Sequence, residues 1–178
     1  MLAKIRHYVT KDTLRSIYFG IFSSILTYGC QIWGQIKSNH FLRLERIQNK
    51  AIKILNFANF RESVTPLYKK SKILKLTDNI KLNNFLFVFD DVNDKLPPAL
   101  ENTFQLTANS HGYSTRSTVL HKVNIPSVRT TVYGLKSITF QSCHEWNFFI
   151  NHFRDESLPT KSKKVCKKML TDYFLDSY

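Results

Sequence analysis

The stretch LTYGCQIWG, Leu26 to Gly34, closes a run that is apolar almost without interruption from Ile17. A membrane span, a buried helix and the wall of a pocket would each produce such a run. A span needs about 20 predominantly apolar residues. Here Ser23, Ser24, Thr27 and Gln31 interrupt the run, and no aromatic belt marks both of its ends. The spacing is helical instead. Thr10 suits an N-cap with Asp12 in the first turn, and Leu14, Ile17, Tyr18, Ile21, Ile25, Tyr28 and Ile32 then recur at i, i+3, i+4 and i+7 intervals. Phe19, Phe22, Leu26 and Trp33 cover the other side, and a helix apolar all round is expected deep in a core. No membrane span is expected.

The rest of the chain agrees with a folded, mainly helical protein. At 178 residues, 22% of them charged, it has the size of one domain or two small ones. Five Gly, five Pro, fourteen Phe and eight Tyr argue against disorder and low-complexity linkers. The formal net charge is +13, unevenly spread: residues 1–76 hold fourteen Lys/Arg against three Asp/Glu, and residues 77–178 hold twelve against ten. Such a field favours polyanions, either nucleic acid or an acidic membrane face. Cys30, Cys143 and Cys166 are odd in number and show no CxxC spacing, and the six histidines form no HxxxH pair. Disulfide frameworks and structural zinc are therefore not expected, and neither is a metal or cofactor. The start, MLAKIRHYVTKD, has no signal-peptide pattern. An intracellular protein, nuclear or cytoplasmic and not secreted, is expected.

Asn39 opens a second helix containing FLRLERIQNKAIKIL. On a helical wheel Leu44, Ile47, Ala51, Ile54 and Leu55 fall within about 100° of arc, and Arg43, Arg46, Lys50 and Lys53 within about 80° of the adjoining arc. Glu45 is the only acid nearby, so the four cations cannot be neutralised by i,i+4 pairing, and they become the expected nucleic-acid-binding residues. Thr65-Pro66 suits the N-cap and first position of a short basic helix, PLYKKSKILKL. Thr77 or Asp78 starts the next, with a Leu82, Phe85, Leu86 and Phe89 stripe, and Pro97-Pro98 ends it. From Glu101 to Arg129 the pattern predicts loops with one or two short extended pieces. Ser137 then caps ITFQSCHEWNFFINHF. A last helix runs from about Ser162, with Val165, Met169, Leu170, Tyr173 and Phe174 on one side and Lys163, Lys164, Lys167 and Lys168 around the other. The fold class expected is mainly α: a helical region at 1–95, a loop-rich connection at 96–136 and a C-terminal helical region at 137–178.

FVFDDVND, Phe87 to Asp94, invites comparison with the paired aspartates that hold divalent metals in nucleotidyl transfer. A polymerase pair follows an aromatic and one small residue at a hairpin turn, whereas here Val88 takes the aromatic position and the aspartates end a helical stripe. Solvated helix-end residues are expected, and no catalytic residue is assigned. P-loop, Gly-x-Ser-x-Gly and His-Glu-x-x-His patterns are missing. Tyr113 with Arg116, and Trp146 with Asn147, could stack on and hydrogen-bond to bases, although aromatics at helical spacing more often fill cores.

One ordered series of motifs adds to this. LRSIYFGIFSSILTYGCQIWG, LERIQNKAIKIL, TPLYKKSKILKL, KLPPALENTF, HGYSTRSTVL and EWN, followed by Leu158-Pro159 and a basic terminal helix, span nearly the whole chain. The series resembles the region C-terminal to the palm in LINE-type (non-LTR) retrotransposon reverse transcriptases, especially the jockey-like branch. The residues carrying the resemblance are Tyr28, Gly29, Trp33 and Gly34; Gln48, Asn49, Lys50 and Ala51; Tyr113, Thr115 and Arg116; and Trp146 and Asn147. The family's tight Trp-Asn-x-Leu-Pro is broken, since Phe148 and Phe149 follow Asn147. The resemblance implies a thumb-like helical bundle in which LTYGCQIWG ends a long helix and Trp33 anchors the turn. It also implies a part in RNA-directed DNA polymerisation, gripping the template-primer RNA or DNA backbone. The catalytic palm would lie upstream of Met1 as a partner, and the chain is not expected to polymerise DNA by itself. The alternative is a stand-alone helical interaction module without catalytic activity.

Overall fold

Thr10 does start the first long helical run. Its Oγ1 accepts the Thr13 N–H at 3.3 Å, satisfying one of the donors a helix start leaves open. In the computed structural model, which describes residues 2–35, 39–109, 121–131, 133–155 and 157–178, the fold is mainly α. Two compact units divide the chain: Met1–Ile80 with Thr171–Tyr178, and Lys81–Leu170. No helix among the described residues is long and apolar enough to cross a membrane.

In the first unit, α1 (Leu2–Ile5) precedes α2 (Lys11–Ile17), which passes through a π-helical segment, Tyr18–Ser23, into α3 (Ser24–Thr27). Ser24 Oγ bonds back to Gly20 O at 2.8 Å and Thr27 Oγ1 to Ser23 O at 2.9 Å, a competition with the backbone ladder that loosens this stretch. The helix then breaks at Tyr28, which is extended, and at Gly29, whose φ of 60° lies in the left-handed region that favours glycine. It restarts as α4 (Cys30–Trp33), and Trp33 Nε1–H spans the break to Tyr28 O at 2.9 Å. Gly34 has a different role. A Cβ there would stand 2.5 Å from Ile80 Cδ1 and 2.4 Å from Cys30 O, so α4 approaches Ile80 as closely as only a hydrogen allows.

The expectation of a run buried all round is corrected here. Leu14, Tyr18, Leu26 and Cys30 are buried, whereas Ile21, Ile25, Tyr28 and Ile32 form an exposed stripe, with Ile25 71% and Tyr28 85% exposed. The run is amphipathic in burial although not in composition.

Helix α5 (Asn39–Leu55) packs its Ala51, Ile52 and Leu55 with Leu14 and Tyr18 of the N-terminal run and with Leu67, Tyr68 and Ile73. The next helix, α6 (Thr65–Ser71), begins one residue earlier than expected, with Val64 at the cap and Thr65 already helical. It also ends before KILKL. Lys72 is left-handed at φ 51°, and the Ile73 N–H turns back to Tyr68 O at 3.1 Å. Helix α7 (Leu76–Val92) follows.

A single amide organises this unit. Gln48 is buried on α5, its Oε1 accepts the Leu76 N–H at 2.9 Å, and its Nε2 donates to Leu74 O at 3.0 Å and to Tyr18 OH at 3.4 Å. Beside it Tyr68 OH donates to Asn49 Oδ1 at 2.8 Å. Tyr178 OH donates to Asp78 Oδ2 at 2.6 Å and accepts the Lys75 N–H at 2.9 Å, while Lys75 Nζ sits 4.3 Å from the Tyr178 ring centroid. Burial raises the pKa of Tyr18, Tyr68 and Tyr178, and the donated bond to Asp78 raises Tyr178 further.

In the second unit α7 continues through Val92 and is joined by α8 (Ile138–Phe153) and by α9 (Lys163–Asp176) as far as Leu170. Ser137 caps α8 as expected, accepting the Phe140 N–H at 3.2 Å. Trp146 is fully buried, stacked on Phe85 at 4.7 Å, with Phe149 edge-on to the same ring. The only bridge among the described residues is antiparallel, Leu106 to Val123. Within its unit α9 buries Cys166 and Leu170, and it leaves Val165 exposed, against expectation. All three cysteines are free and buried, and burial pushes the Cys143 thiol up to about 11.

Two outcomes test this account. Gln48→Leu keeps the volume but strands the Leu76 N–H and the Leu74 carbonyl, so urea unfolding should show a loss of about 2–4 kcal/mol. A phenol whose folded pKa stands above its unfolded value adds stability that is complete below the unfolded value of about 10 and vanishes as pH rises through the folded one. Phenolate absorbance from Tyr18, Tyr68 and Tyr178 should therefore appear together with loss of helical circular dichroism above that pH. Ionisation with the helices intact would show that these phenols are not enclosed.

Candidate nucleic-acid interface

The four cations of α5 do share one face. Arg43, Arg46 and Lys50 are exposed and Lys53 is half-buried. The neighbouring arc is rotated from the one expected, however. The buried positions are Phe41, Gln48, Ala51, Ile52 and Leu55, whereas Ile47 is 48% exposed and Ile54 half-buried. The centre of the cation stripe thus lies about 175° round the wheel from the centre of the buried face, facing outward. Ile47 and Ile54 occupy the ground between, where with Ile17, Ile21 and Ile25 they line an apolar slot of about 290 Å³ that has Lys50 at its edge.

Arg43, Arg46 and Lys50 form no ion pair with a carboxylate among the described residues. Lys53 is differently placed. Its Nζ donates to Phe60 O at 2.5 Å and lies 5.4 Å from the Phe60 ring centroid, so it braces the turn that follows α5. That turn brings in residues the charge pattern alone did not suggest. Arg6 packs its guanidinium 5.7 Å from the Phe57 ring centroid, and with Lys50, Lys53, Phe57, Asn59 and Phe60 it lines an open groove of about 660 Å³. The sequence signal for Arg6 was only the excess of cations near the start of the chain.

The other nominated residues have structural positions. Trp146 donates its Nε1–H to His121 O at 3.0 Å from within the core. Asn147 holds both backbone groups of Val123, donating to its carbonyl at 2.8 Å and accepting its N–H at 3.0 Å, in place of a β-partner. Neither is a platform for bases. Tyr113, Thr115 and Arg116 lie outside the described residues.

The paired aspartates Asp90 and Asp91 are not the solvated helix-end residues expected, whereas Asp94 is exposed. Asp91 is buried and accepts the Phe104 N–H at 2.8 Å, and Asp90 accepts Lys163 Nζ at 2.5 Å. Asp94 ends the helix in a left-handed turn, φ 53°, with Lys95 N–H reaching Asp90 O at 2.8 Å. Among the described residues no group of three or more His, Cys, Asp or Glu could hold a metal ion.

In comparisons with protein-family models, curated proteins and solved structures, no match to this chain was found.

A structural role for Asp91 has a direct consequence. Asp91→Ala leaves the Phe104 N–H unpaired in a dry site and should cost about 1–3 kcal/mol in urea unfolding, with Asp91→Asn milder because an amide oxygen can still accept. Equal losses for the two would mean that the hydrogen bond contributes nothing.

Proposed function

We propose that this chain grips nucleic acid through the outward stripe of α5, as the thumb or post-palm part of a LINE-type reverse transcriptase would grip its template-primer. The observation that carries the reading is the stripe itself. Arg43, Arg46 and Lys50 stand exposed on the face opposite the core, with one acid, Glu45, on the same helix. Phosphates are the natural partners of such a row, since each neutralised phosphate releases counterions. The ordered motif series adds the family-level part of the reading, because Lys50 lies within the Gln-Asn-Lys-Ala run.

A second reading has its own observation. The exposed stripe Ile21, Ile25, Tyr28 and Ile32 is the kind of apolar surface that marks a protein-binding face, which suits a helical interaction module. Fluorescence anisotropy with labelled duplex and single-stranded oligonucleotides at two salt concentrations separates the two. A phosphate grip gives a log–log slope of about −0.9 per contact on duplex, or about −0.7 on single strands. No binding at low salt leaves the interaction module.

Replacing Arg46 and Lys50 together with Gln should weaken binding to all sequences about equally and reduce the salt slope by about one to two units, with helix content unchanged. Lys164 and Lys168 on α9 serve as controls, and their replacement should change little. If the control pair abolishes binding while the Arg46/Lys50 pair has no effect, the grip is not on α5.

A further inference from the structure

We propose that the groove at the C-terminal end of α5 seats one nucleotide unit of a single strand, its base stacked on Phe60 beside Phe57 and its phosphate between Arg6 and Lys50. The assignment rests on the nucleic-acid reading above and adds to it the strandedness of the ligand.

Phe57 and Phe60 are the first reason. Phe60 is 76% exposed and Phe57 47% exposed, so neither ring serves as a core filler. Phe57 also sits at φ 53°, the left-handed position after a helix where Gly or Asn is usual and a bulky side chain is an outlier. A strained aromatic that gains little burial points to a use for its ring.

The turn is braced rather than loose. The Ala58 N–H bonds to Lys53 O at 3.0 Å, Lys53 Nζ holds Phe60 O, and Glu62, the one carboxylate in the turn, is tied back to the Asn59 N–H at 3.3 Å. Arg6, Lys50 and Lys53 therefore set the sign of the groove, and Asn59 places an amide at its wall for a base edge. At about 660 Å³ the groove falls in the range of small-ligand sites. Aromatic faces interleaved with cations around a concave site favour an unstacked base, because a duplex keeps its ring faces covered.

Phe60→Ala and Phe60→Leu are the test variants, since an exposed position tolerates both and the second keeps an apolar side chain while removing the ring. With labelled oligo(dT), anisotropy should show binding weakened about tenfold in each, with the salt slope and the affinity for duplex unchanged. Full-strength oligo(dT) binding by Phe60→Leu, alongside weakened binding by the Arg46/Lys50 variant, would overturn the stacking site and leave the phosphate grip standing. No binding of either oligonucleotide by the unaltered protein at low salt would overturn both. AMP is the third probe. Affinity for AMP equal to that for oligo(dT) would make the groove a free-nucleotide site and overturn the strand assignment.

Discussion

The Gln48 amide sets the geometry on which the N-terminal unit depends. A buried amide is costly unless both of its ends are paired. Here the carbonyl oxygen takes the N–H of Leu76 at the start of α7, and the nitrogen gives its protons to Leu74 O and Tyr18 OH. One side chain thereby fixes the rotation of α5 about its axis and its height against residues 74–76. With Gln48 pointing inward, Phe41, Ile52 and Leu55 must follow it, and Arg43, Arg46 and Lys50 have only the outward direction left. The cation stripe is the reverse side of a polar contact.

That dependence explains what could be read from the chain beforehand. Helix α5 begins at Asn39 as its pattern indicated, Thr10 and Ser137 cap their helices with their own oxygens, and the Leu82, Phe85, Leu86 and Phe89 stripe of α7 is buried throughout. These features are local, and local periodicity reports them. The rotation of α5 was not local. A wheel that counts only apolar residues puts Ile47 and Ile54 in the core and passes over Gln48 and Ile52, because nothing within the helix shows that a glutamine has partners 26 and 28 residues away. Asp91 was misjudged for the same reason, since its partner is the backbone of Phe104. The break at Tyr28 and Gly29 lay inside a mostly apolar run whose spacing continues past it. For the candidate site, the charged half was legible in α5, whereas Arg6 and the Phe57–Phe60 turn depend on contacts formed only on folding.

Several residues of the ordered motif series hold structural positions: Gly34 against Ile80, Gln48 against Leu74 and Leu76, Ala51 in the core, Trp146 bonded to His121 O and Asn147 to Val123. Each is a place where a close approach or a buried polar pair admits few substitutes. Glycine alone clears Ile80, and Asn147 is long enough to meet both backbone groups of Val123 and short enough to remain in the helix.

Positions with that many constraints leave little freedom for function, which belongs where packing makes no demand. Lys50 is the exposed member of a run whose neighbours Gln48, Asn49 and Ala51 are all committed to the interior or to Tyr68. It stands beside both the apolar slot and the open groove. Keeping a cation at that point costs little in folding, because its head stays in water while its stem covers apolar surface. Its charge lies on the same helix face as those of Arg43 and Arg46 and on the same groove as that of Arg6, and at physiological ionic strength charges within about 8 Å act together on an approaching anion. Lys50 and Lys53 are common to the stripe and the groove, so on the reading proposed above a strand held along α5 would continue into the groove without leaving positive surface.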